Sequence, residues 1–491
     1  MNEETVAAPA GIHRNATSLD DKYAKWDGRI YLSGIQALVR LPMMQRLRDL
    51  AMGLNTAGFV SGYRGSPLGT LDEALWKAQT HLSQHHVKFV PGVNEELAAT
   101  AVWGTQTTAL LGPAKYDGVF AMWYAKGPGV DRCADVFKHM NHAGTARHGG
   151  VLLVAGDDHG AYSSTLPHQS DHLFAACMVP MLYPCNVQDY LDLGLHAWAM
   201  SRFSGCAIGF KALADTVEST ASVDANPFRI QVVLPDHFPM PPGGLNNRLS
   251  VDTLGVQARA QEALMQDYKI YAAIAYARAN RLNRTMIDSP HAKLGIIASG
   301  KSYLDVLEAL EELGIDEPHA AHIGIRVYKV AMPWPLEPEG IREFSQGLDE
   351  ILVVEEKRQI VEYQLKEQLY NWREDVRPRV IGKFDEKGEW VNARGDWLLS
   401  AKVDFSVAQI ARVIASRIAR FHTSVSIQER LQFLQTKEGQ LNKAANIAAR
   451  PAYYCAGCPH NTSTRVPSGS LALAGIGCHV MATSIFPESN K

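Results

Sequence analysis

The chain has 491 residues, a length that predicts about three domains and excludes a single small binding module. Apolar residues make up 46% of it and charged residues 20%, which is typical of proteins with buried cores and excludes disorder and collagen-like repetition. Because 48 Lys and Arg stand against 51 Asp and Glu, the net charge is only −3, and no overall field would hold nucleic acid or an anionic membrane. We therefore expect small molecules or other proteins as partners.

Residues 1–27 form a polar leader with acids, Pro and mixed charge. A secretion signal would need a basic end followed by an apolar run, and no later stretch approaches the roughly 18 apolar residues of a membrane span. We therefore expect a cytoplasmic protein. Its seven cysteines are too few for a disulfide scaffold, so in a reducing compartment they are thiols or metal ligands.

Residues 28–236 alternate short apolar runs with longer helical stretches. The runs, which have the length of buried strands, are TAGFVSG (56–62), DGVFAMWYA (117–125), VLLVAGDD (151–158) and GCAIGFKA (205–212). Strands of this kind separated by helices predict a parallel sheet that is covered on both faces. The first domain is therefore predicted to be α/β.

A linker and helical segment is predicted for residues 237–290, since HFPMPPGGLNNR breaks both periodicities. A second α/β domain follows at 291–400, with strands KLGIIASG, IGIRVYKV and EILVVEE. Its helix SYLDVLEALEELG places Leu304, Leu307 and Leu310 at three-residue spacing, and we expect these leucines to lie on the sheet.

The end of the chain is predicted to contain a helical connector (401–450) and the start of a third unit (451–491). The 41 residues of that unit, counted from 451 to 491, are too few to bury a core of their own.

One segment matches a phosphate-binding loop by pattern alone. Gly295 to Ser302 satisfies G-x-x-x-x-G-K-[ST], but Ile296 and Ile297 have the character of a strand rather than of an open loop. We predict a strand-to-helix turn here, with Ser302 near the N-cap.

A second pattern loosely resembles a magnesium and diphosphate site. Asp157 and Asp158 follow a predicted strand, where open α/β sheets bind ligands, and Asn186 comes later in the chain. Acidic turns after strands are common, however, so a structural or substrate-loop role is favoured over magnesium.

Two further turns carry polar groups at predicted strand ends. Gly65 permits close backbone approach to a ligand, and Ser66 beside it offers a hydroxyl. Asn94 can cap a helix whose positive end would favour Glu95 and Glu96, and that plain explanation suffices without a functional role.

The strongest local signal is a cysteine cluster near the end. Cys455 and Cys458 have C-x-x-C spacing, His460 follows, and Cys478 comes after a glycine-rich turn. Zinc would take all four side chains, whereas an iron–sulfur cluster would take the three cysteines and need a fourth ligand. A pair of thiols in a turn, with no metal, is the third alternative.

These segments together resemble the indolepyruvate ferredoxin oxidoreductases, within the thiamine-diphosphate 2-oxoacid:ferredoxin oxidoreductases. The resemblance runs from about residue 27 to the last residues and rests on segments in family order: GYRGSP, VNEELA, VAGDDHGAYSST, GIIASGKSYLDV, CAGCPHNTST and AGIGC. It implies the fused form, in which a pyrimidine-binding α/β domain, a transketolase-C-terminal-like α/β domain and a diphosphate-binding domain share one chain.

The resemblance also implies roles for individual residues. Glu95 falls on the glutamate that binds the aminopyrimidine ring of thiamine diphosphate, and Ser66, beside the cofactor-approaching Gly65, on a threonine that touches substrate. His460 falls where some relatives place an acid that contacts the cofactor. Ligands of a [4Fe-4S] cluster are implied at three positions: Cys455, Cys458 and Cys478.

The function implied is oxidative decarboxylation of an aryl 2-oxoacid, indolepyruvate, to its coenzyme A ester with reduction of ferredoxin. Mg²⁺ and a homodimer are implied as well. The family's magnesium and diphosphate motif and fourth cysteine lie beyond AGIGC, so we expect a C-terminally truncated chain that is inactive alone. The alternatives are a related enzyme for branched-chain or phenyl 2-oxoacids, or a non-catalytic zinc-bearing subunit.

Overall fold

A computed structural model describes residues 17–164, 166–249, 252–386, 397–444, 453–475 and 477–491. Thirteen strands lie within these residues. They are β1 (Arg29–Ser33), β2 (Ala57–Gly62), β3 (Val87–Phe89), β4 (Val119–Lys126), β5 (Val151–Asp157), β6 (Met181–Leu182), β7 (Ile208–Leu213), β8 (Thr220–Asp224), β9 (Arg284–Ile287), β10 (Leu294–Ser299), β11 (Ile325–Val330), β12 (Glu350–Val354) and β13 (Arg379–Ile381).

The α-helices of the same residues are α1 (Asp21–Ala24), α2 (Gly34–Ala51), α3 (Leu71–Lys77), α4 (Gln79–Gln84), α5 (Glu95–Thr105), α6 (Gly127–Arg132), α7 (Ala134–Ala143), α8 (Asp171–Ala176), α9 (Val187–Ser204), α10 (Ala214–Val217), α11 (Leu254–Leu264), α12 (Ile270–Ala279), α13 (Lys301–Glu312), α14 (Glu317–Ile323), α15 (Pro338–Ser345), α16 (Val361–Leu369), α17 (Val407–Ile418), α18 (Val425–Ala444), α19 (His460–Ser463) and α20 (Ala482–Ile485). A π-helical turn (Met265–Lys269) joins α11 to α12, and short 3₁₀ helices span Thr108–Leu110 and Cys478–Met481.

The chain divides into two compact units, Met1–Arg430 and Leu431–Lys491. In the first unit a six-stranded sheet has the order β3-β2-β4-β5-β7-β6, and all of its neighbouring strands are parallel. Alternate side chains of β4 enter different cores: Phe120 and Met122 join one, Ala121 and Trp123 the other. The predicted α/β fold with a doubly covered parallel sheet is confirmed.

A second sheet in the same unit has the order β13-β12-β10-β11-β9, in which only β9 is antiparallel to its neighbour. Strand β9 lies inside the predicted linker and helical segment (237–290), so the second sheet extends upstream of residue 291. Ile296 and Ile297 lie in β10, and Gly300 links that strand directly to α13. The segment is thus a strand-to-helix turn, and Ser302 is the second residue of the helix.

Helix α13 does not bury the expected leucine face. Its buried side chains include Tyr303, Val306 and Leu310, whereas Leu304 is 38% exposed and Leu307 is half-buried. On a helix of 3.6 residues per turn, residues three apart are offset by about 60° around the helix axis. Leu304 and Leu310, two such steps apart, therefore cannot share one narrow face.

The second unit contains the C-terminal part of α18, followed by short elements. Residues 472–474 pair with 489–491 through backbone hydrogen bonds of 2.8–2.9 Å. Among its described residues, the buried ones are Tyr454, Ala482 and Asn490, in keeping with a segment too small for a large core. Across the described ranges, no helix is both long and apolar enough to cross a membrane.

A buried ion pair joins two helices of the first unit. Arg202 of α9 donates from both terminal nitrogens to Asp49 of α2, at 2.6 and 2.8 Å. Asp49 also accepts hydrogen bonds from Gln45 and Thr56, and its side chain is fully buried. The carboxylate therefore depends on Arg202 for its balancing charge.

We predict that Arg202→Met lowers the free energy of unfolding by about 3 kcal/mol, because it leaves the Asp49 charge buried and unpaired. Urea denaturation measures this change. The control is Lys77→Met, which breaks an ion pair with Glu73 whose side chains are 74% and 63% exposed. That substitution should change stability by less than about 0.5 kcal/mol, and an equal loss in both variants would contradict the prediction.

Candidate active site

The first sheet gathers several polar loops at one edge. Because its strands are parallel, the segments that follow β2, β4, β5 and β7 all begin at the carboxyl edge of the sheet. They start at residues 63, 127, 158 and 214. Open α/β sheets bind their ligands at such an edge.

The turn after β2 lies against the end of β4. A Cβ atom on Gly65 would be 2.9 Å from Cδ of Lys126, so a side chain at this position would require the lysine to shift. A contact between Gly65 and a cofactor stays a prediction.

Ser66 connects this turn to the loop after β5. Its hydroxyl hydrogen-bonds the hydroxyl of Ser163. Ser163 in turn donates to the carboxylate of Asp158, from its backbone nitrogen at 2.8 Å and from its hydroxyl at 3.3 Å. Ser66 is half-buried, whereas Asp158 is buried. The predicted substrate-contacting hydroxyl thus lies at the carboxyl edge, held by a buried acid through a second serine.

Glu95 is the first residue of α5, and Asn94 caps that helix by accepting from the nitrogen of Leu97 at 2.9 Å. The capping expected from the sequence is confirmed. The side chain of Glu95 is only 12% exposed, whereas that of Glu96 is 48% exposed. Trp123 of β4 donates from its indole nitrogen to the carbonyl of Glu95 at 3.0 Å, which fixes the helix start against the sheet.

The backbone of helix α6 packs against the Glu95 side chain. A Cβ on Gly129 would lie 2.6 Å from Cγ of Glu95, so glycine allows the carboxylate stem to rest on the helix backbone. Arg132, at the end of α6, contacts Glu95 and Glu96 at 3.5 Å each. Arg132 was not predicted from the sequence, although its place in the segment after a predicted strand was a usable signal.

A second group that was not predicted from the sequence is an ion cluster around His168. The imidazole faces Asp131 of α6 at 2.9 Å through Nε2 and Asp157 of β5 at 3.4 Å through Nδ1. Burial lowers the pKa of His168, but the hydrogen bonds to Asp157 and Asp131 outweigh it and raise that pKa above 6.5.

Asp157 is satisfied by protein groups alone. It accepts from the nitrogen and hydroxyl of Ser170 at 2.9 and 2.6 Å, and Lys211 lies 3.5 Å away. Burial raises its pKa, but His168 and Lys211 outweigh that effect and lower it to about 2. Asn186 serves as the N-cap of α9. These contacts are compatible with the structural or substrate-loop role that the sequence favours over magnesium binding, and that role stays a prediction.

In the second unit the C-x-x-C segment forms a tight turn. The nitrogen of Cys458 donates to the carbonyl of Cys455 at 3.0 Å, and the amide of Asn461 donates to both cysteine carbonyls at 3.2 Å. Cys455 and Cys478 are exposed and Cys458 is half-buried.

The rings of His460 and His479 are 5.9 Å apart, and Tyr454 donates to the carbonyl of His479 at 3.3 Å. Thiols and imidazoles suit a soft metal or an iron–sulfur cluster. Within the residues that the structure describes, however, no three His, Cys, Asp or Glu side chains are gathered closely enough to hold a metal ion. The ligand roles of Cys455, Cys458 and Cys478 thus stay predictions.

Comparisons with known proteins find similar sequences and a similar fold. Residues 283–444 match the family model described as the indolepyruvate ferredoxin oxidoreductase middle domain. Indolepyruvate oxidoreductase subunit IorA of Methanothermobacter marburgensis is 24% identical over 472 residues, which cover 92% of this chain and 64% of the relative. The IorA subunit of Pyrococcus abyssi is 24% identical over 442 residues, with coverage of 89% and 59%.

The chain is thus similar to indolepyruvate oxidoreductase subunits over about nine-tenths of its length. It spans about three-fifths of the length of these curated relatives, between 59% and 64%. Among solved structures, a 2-oxoglutarate:ferredoxin oxidoreductase from Magnetococcus marinus, with 2-oxoglutarate, coenzyme A and succinyl-CoA bound, is similar with a TM-score of 0.56. That similarity covers 80% of this chain and 66% of the other at 16% identity, and it shows a shared fold.

We predict that NMR titration of the folded protein finds the His168 pKa above 6.5 and that Asp131→Asn lowers it. A pKa raised by folding stabilises the protein fully below pH 6.5, and this stabilisation is lost as pH rises through the folded value. The stability difference between the native protein and Asp131→Asn should therefore be largest below pH 6.5 and shrink above it.

Asp135→Asn is the matched control, since Asp135 lies on α7 with an 86% exposed side chain and pairs with His139 instead. It should leave the titration of His168 unchanged. A His168 pKa below 6.5 in the native protein would contradict the prediction.

Proposed function

We propose that this chain carries part of the active site of an enzyme that oxidatively decarboxylates an aryl 2-oxoacid, of which indolepyruvate is the favoured example. In the proposed reaction the 2-oxoacid anion and coenzyme A give the acyl-coenzyme A ester, CO₂, one proton and two electrons. Two ferredoxin molecules accept the electrons. The bond between the carboxylate and keto carbons breaks, and a bond between the keto carbon and sulfur forms.

The observation that carries the proposal is the position of Glu95. Glu95 lies at the start of a helix, and its side chain is largely shielded from solvent. Helix α6 packs against that side chain. Glu95 is found at the carboxyl edge of a parallel sheet, together with the hydroxyl of Ser66. The names of the IorA relatives supply the substrate class, which the geometry alone does not specify.

The residues at this edge suit thiamine diphosphate, which supplies when bound the carbanion chemistry that removes CO₂ from a 2-oxoacid. Glu95 would hold the aminopyrimidine ring and share a proton with it. Gly65 would let the backbone approach the cofactor, and Ser66 would donate a hydrogen bond to the substrate. Magnesium would accompany the diphosphate of the cofactor, and a homodimer is the proposed assembly.

The cysteines would supply the route for the electrons. Thiolates of Cys455, Cys458 and Cys478 would bind a [4Fe-4S] cluster, which passes electrons one at a time to ferredoxin. The tight turn of the C-x-x-C segment supports this assignment, because it uses backbone carbonyls for its own hydrogen bonds. His460 would lie beside the cofactor.

We predict that Glu95→Gln lowers turnover of indolepyruvate at least 100-fold in the complete natural polypeptide with its partners, because the amide cannot share the ring proton. Coenzyme-A-dependent reduction of ferredoxin measures this loss.

Glu96→Gln is the control, since Glu96 is the neighbouring residue and contacts the same Arg132, yet its side chain is 48% exposed. It should retain activity within about threefold. Equal losses in the two variants, or full activity of Glu95→Gln, would contradict the assignment.

We also predict that anaerobically purified protein contains iron and labile sulfide in about equal amounts, as a [4Fe-4S] cluster requires. Elemental and sulfide analysis tests this prediction. Cys458→Ser should remove the iron. The control is Cys206→Ser, at a buried cysteine two residues before β7, which should keep the iron. Stoichiometric zinc without sulfide would support the zinc-bearing subunit instead.

A further inference from the structure

A buried histidine and a buried glutamate join the two sheets of the first unit. His159 follows β5 by two residues, and Glu356 follows β12 by two residues. Nδ1 of His159 lies 2.5 Å from Oε2 of Glu356, and both side chains are only 2% exposed. The pair connects positions 197 residues apart in the chain.

Further contacts reinforce this pair. The other carboxylate oxygen of Glu356 accepts from the nitrogen of Phe405 at 3.2 Å and lies 3.4 Å from the ammonium of Lys301. Lys357 donates to the carbonyl of His159 at 2.9 Å. Burial raises the pKa of Glu356, but His159 and Lys301 outweigh it and lower the value to about 2, so the group is a carboxylate at neutral pH.

The backbone is strained on both sides of the contact. Ala161 has φ +56° and Lys357 has φ +58°, and these left-handed conformations are unfavourable for residues with a Cβ. Such residues persist where the surrounding contacts dictate the conformation, and they concentrate at functional sites.

The histidine is also incompletely satisfied. Within the described part of the chain, Nε2 of His159 is buried without a hydrogen-bond partner. An unpartnered buried polar atom is costly, and a leucine of similar size would avoid that cost. We therefore infer that position 159 is a histidine because its Nδ1 contacts Glu356.

The loop of residues 158–163, which contains this histidine, leads to the hydroxyl of Ser66. Asp158, next to His159, accepts from the backbone nitrogens of Tyr162 and Ser163 at 3.0 and 2.8 Å, which closes the loop into a turn. The hydroxyl of Ser163 then contacts that of Ser66. A displacement of His159 would move the group that orients Ser66.

We propose that His159 and Glu356 are a positioning pair, through which the second sheet fixes the 158–163 loop and so the substrate-binding hydroxyl of Ser66. The positioning of Ser66 for substrate rests on the proposed function, whereas the fixing of the loop does not. His159 acts through Ser163 and is not itself a catalytic residue.

The test compares His159→Leu and His159→Asn in the complete natural polypeptide. The amide nitrogen of Asn occupies nearly the place of Nδ1 and can still donate to Glu356, whereas Leu cannot. We expect His159→Leu to speed amide hydrogen exchange in residues 158–163 and to raise KM for the 2-oxoacid about tenfold with kcat within twofold. His159→Asn should restore slow exchange and a low KM.

Glu337→Gln is the matched control, because Glu337 is a buried acid of the same domain, paired with Arg278 at 2.8 Å, away from the 158–163 loop. Loss of that pair should leave exchange in the loop and KM unchanged. Faster loop exchange in this control, or unchanged exchange in His159→Leu, would overturn the proposal.

The two proposals can fail separately. If the native enzyme converts no 2-oxoacid, the proposed function is wrong, and hydrogen exchange alone then supports or overturns the fixing of the loop by His159 and Glu356. If turnover is normal and the loop loosens without a change in KM, the link from the pair to Ser66 is overturned.

Discussion

The candidate site depends on β4, a central strand with both faces buried. Side chains on one face pack into the core that includes Phe120, and those on the other into the core that includes Trp123. Such a strand cannot shift its register without moving one apolar set into the wrong core. The carboxyl end of β4 is therefore held in a fixed position. It positions α6, which contacts Glu95, and Lys126, which contacts the Gly65 turn.

Buried charges then connect the loops that this edge brings together. Asp157, at the end of β5, is balanced by His168 and Lys211, and His168 also holds Asp131 of α6. Each pair joins different elements, and loss of His168 or Lys211 would leave the fully buried charge of Asp157 less well balanced. Electrostatic pairing thus fixes the relative positions of loops that hydrophobic packing alone would leave free.

Sequence patterns predicted the strands whose apolar runs are long enough to be buried on both faces, such as β4, β5 and β10. They did not predict β9, whose residues Arg284, Thr285 and Met286 are exposed and carry no apolar run. The candidate site shows the same limit. Residues such as Ser66 and Glu95 were predicted from their places beside strand ends or from the family resemblance, whereas the contact of His159 with Glu356 spans 197 residues and leaves no local pattern.

The structure also distinguishes two adjacent carboxylates that are equivalent in the sequence. Glu95 and Glu96 follow the same cap, begin the same helix and contact the same Arg132 at 3.5 Å. Only Glu95 is largely shielded from solvent, because its stem rests on Gly129. A carboxylate that shares a proton with a ligand needs a site where water does not compete for it, since hydrogen bonds and charges act more strongly at low dielectric. Burial by α6, rather than charge or helix position, therefore distinguishes Glu95 from Glu96 as the proposed cofactor-binding carboxylate.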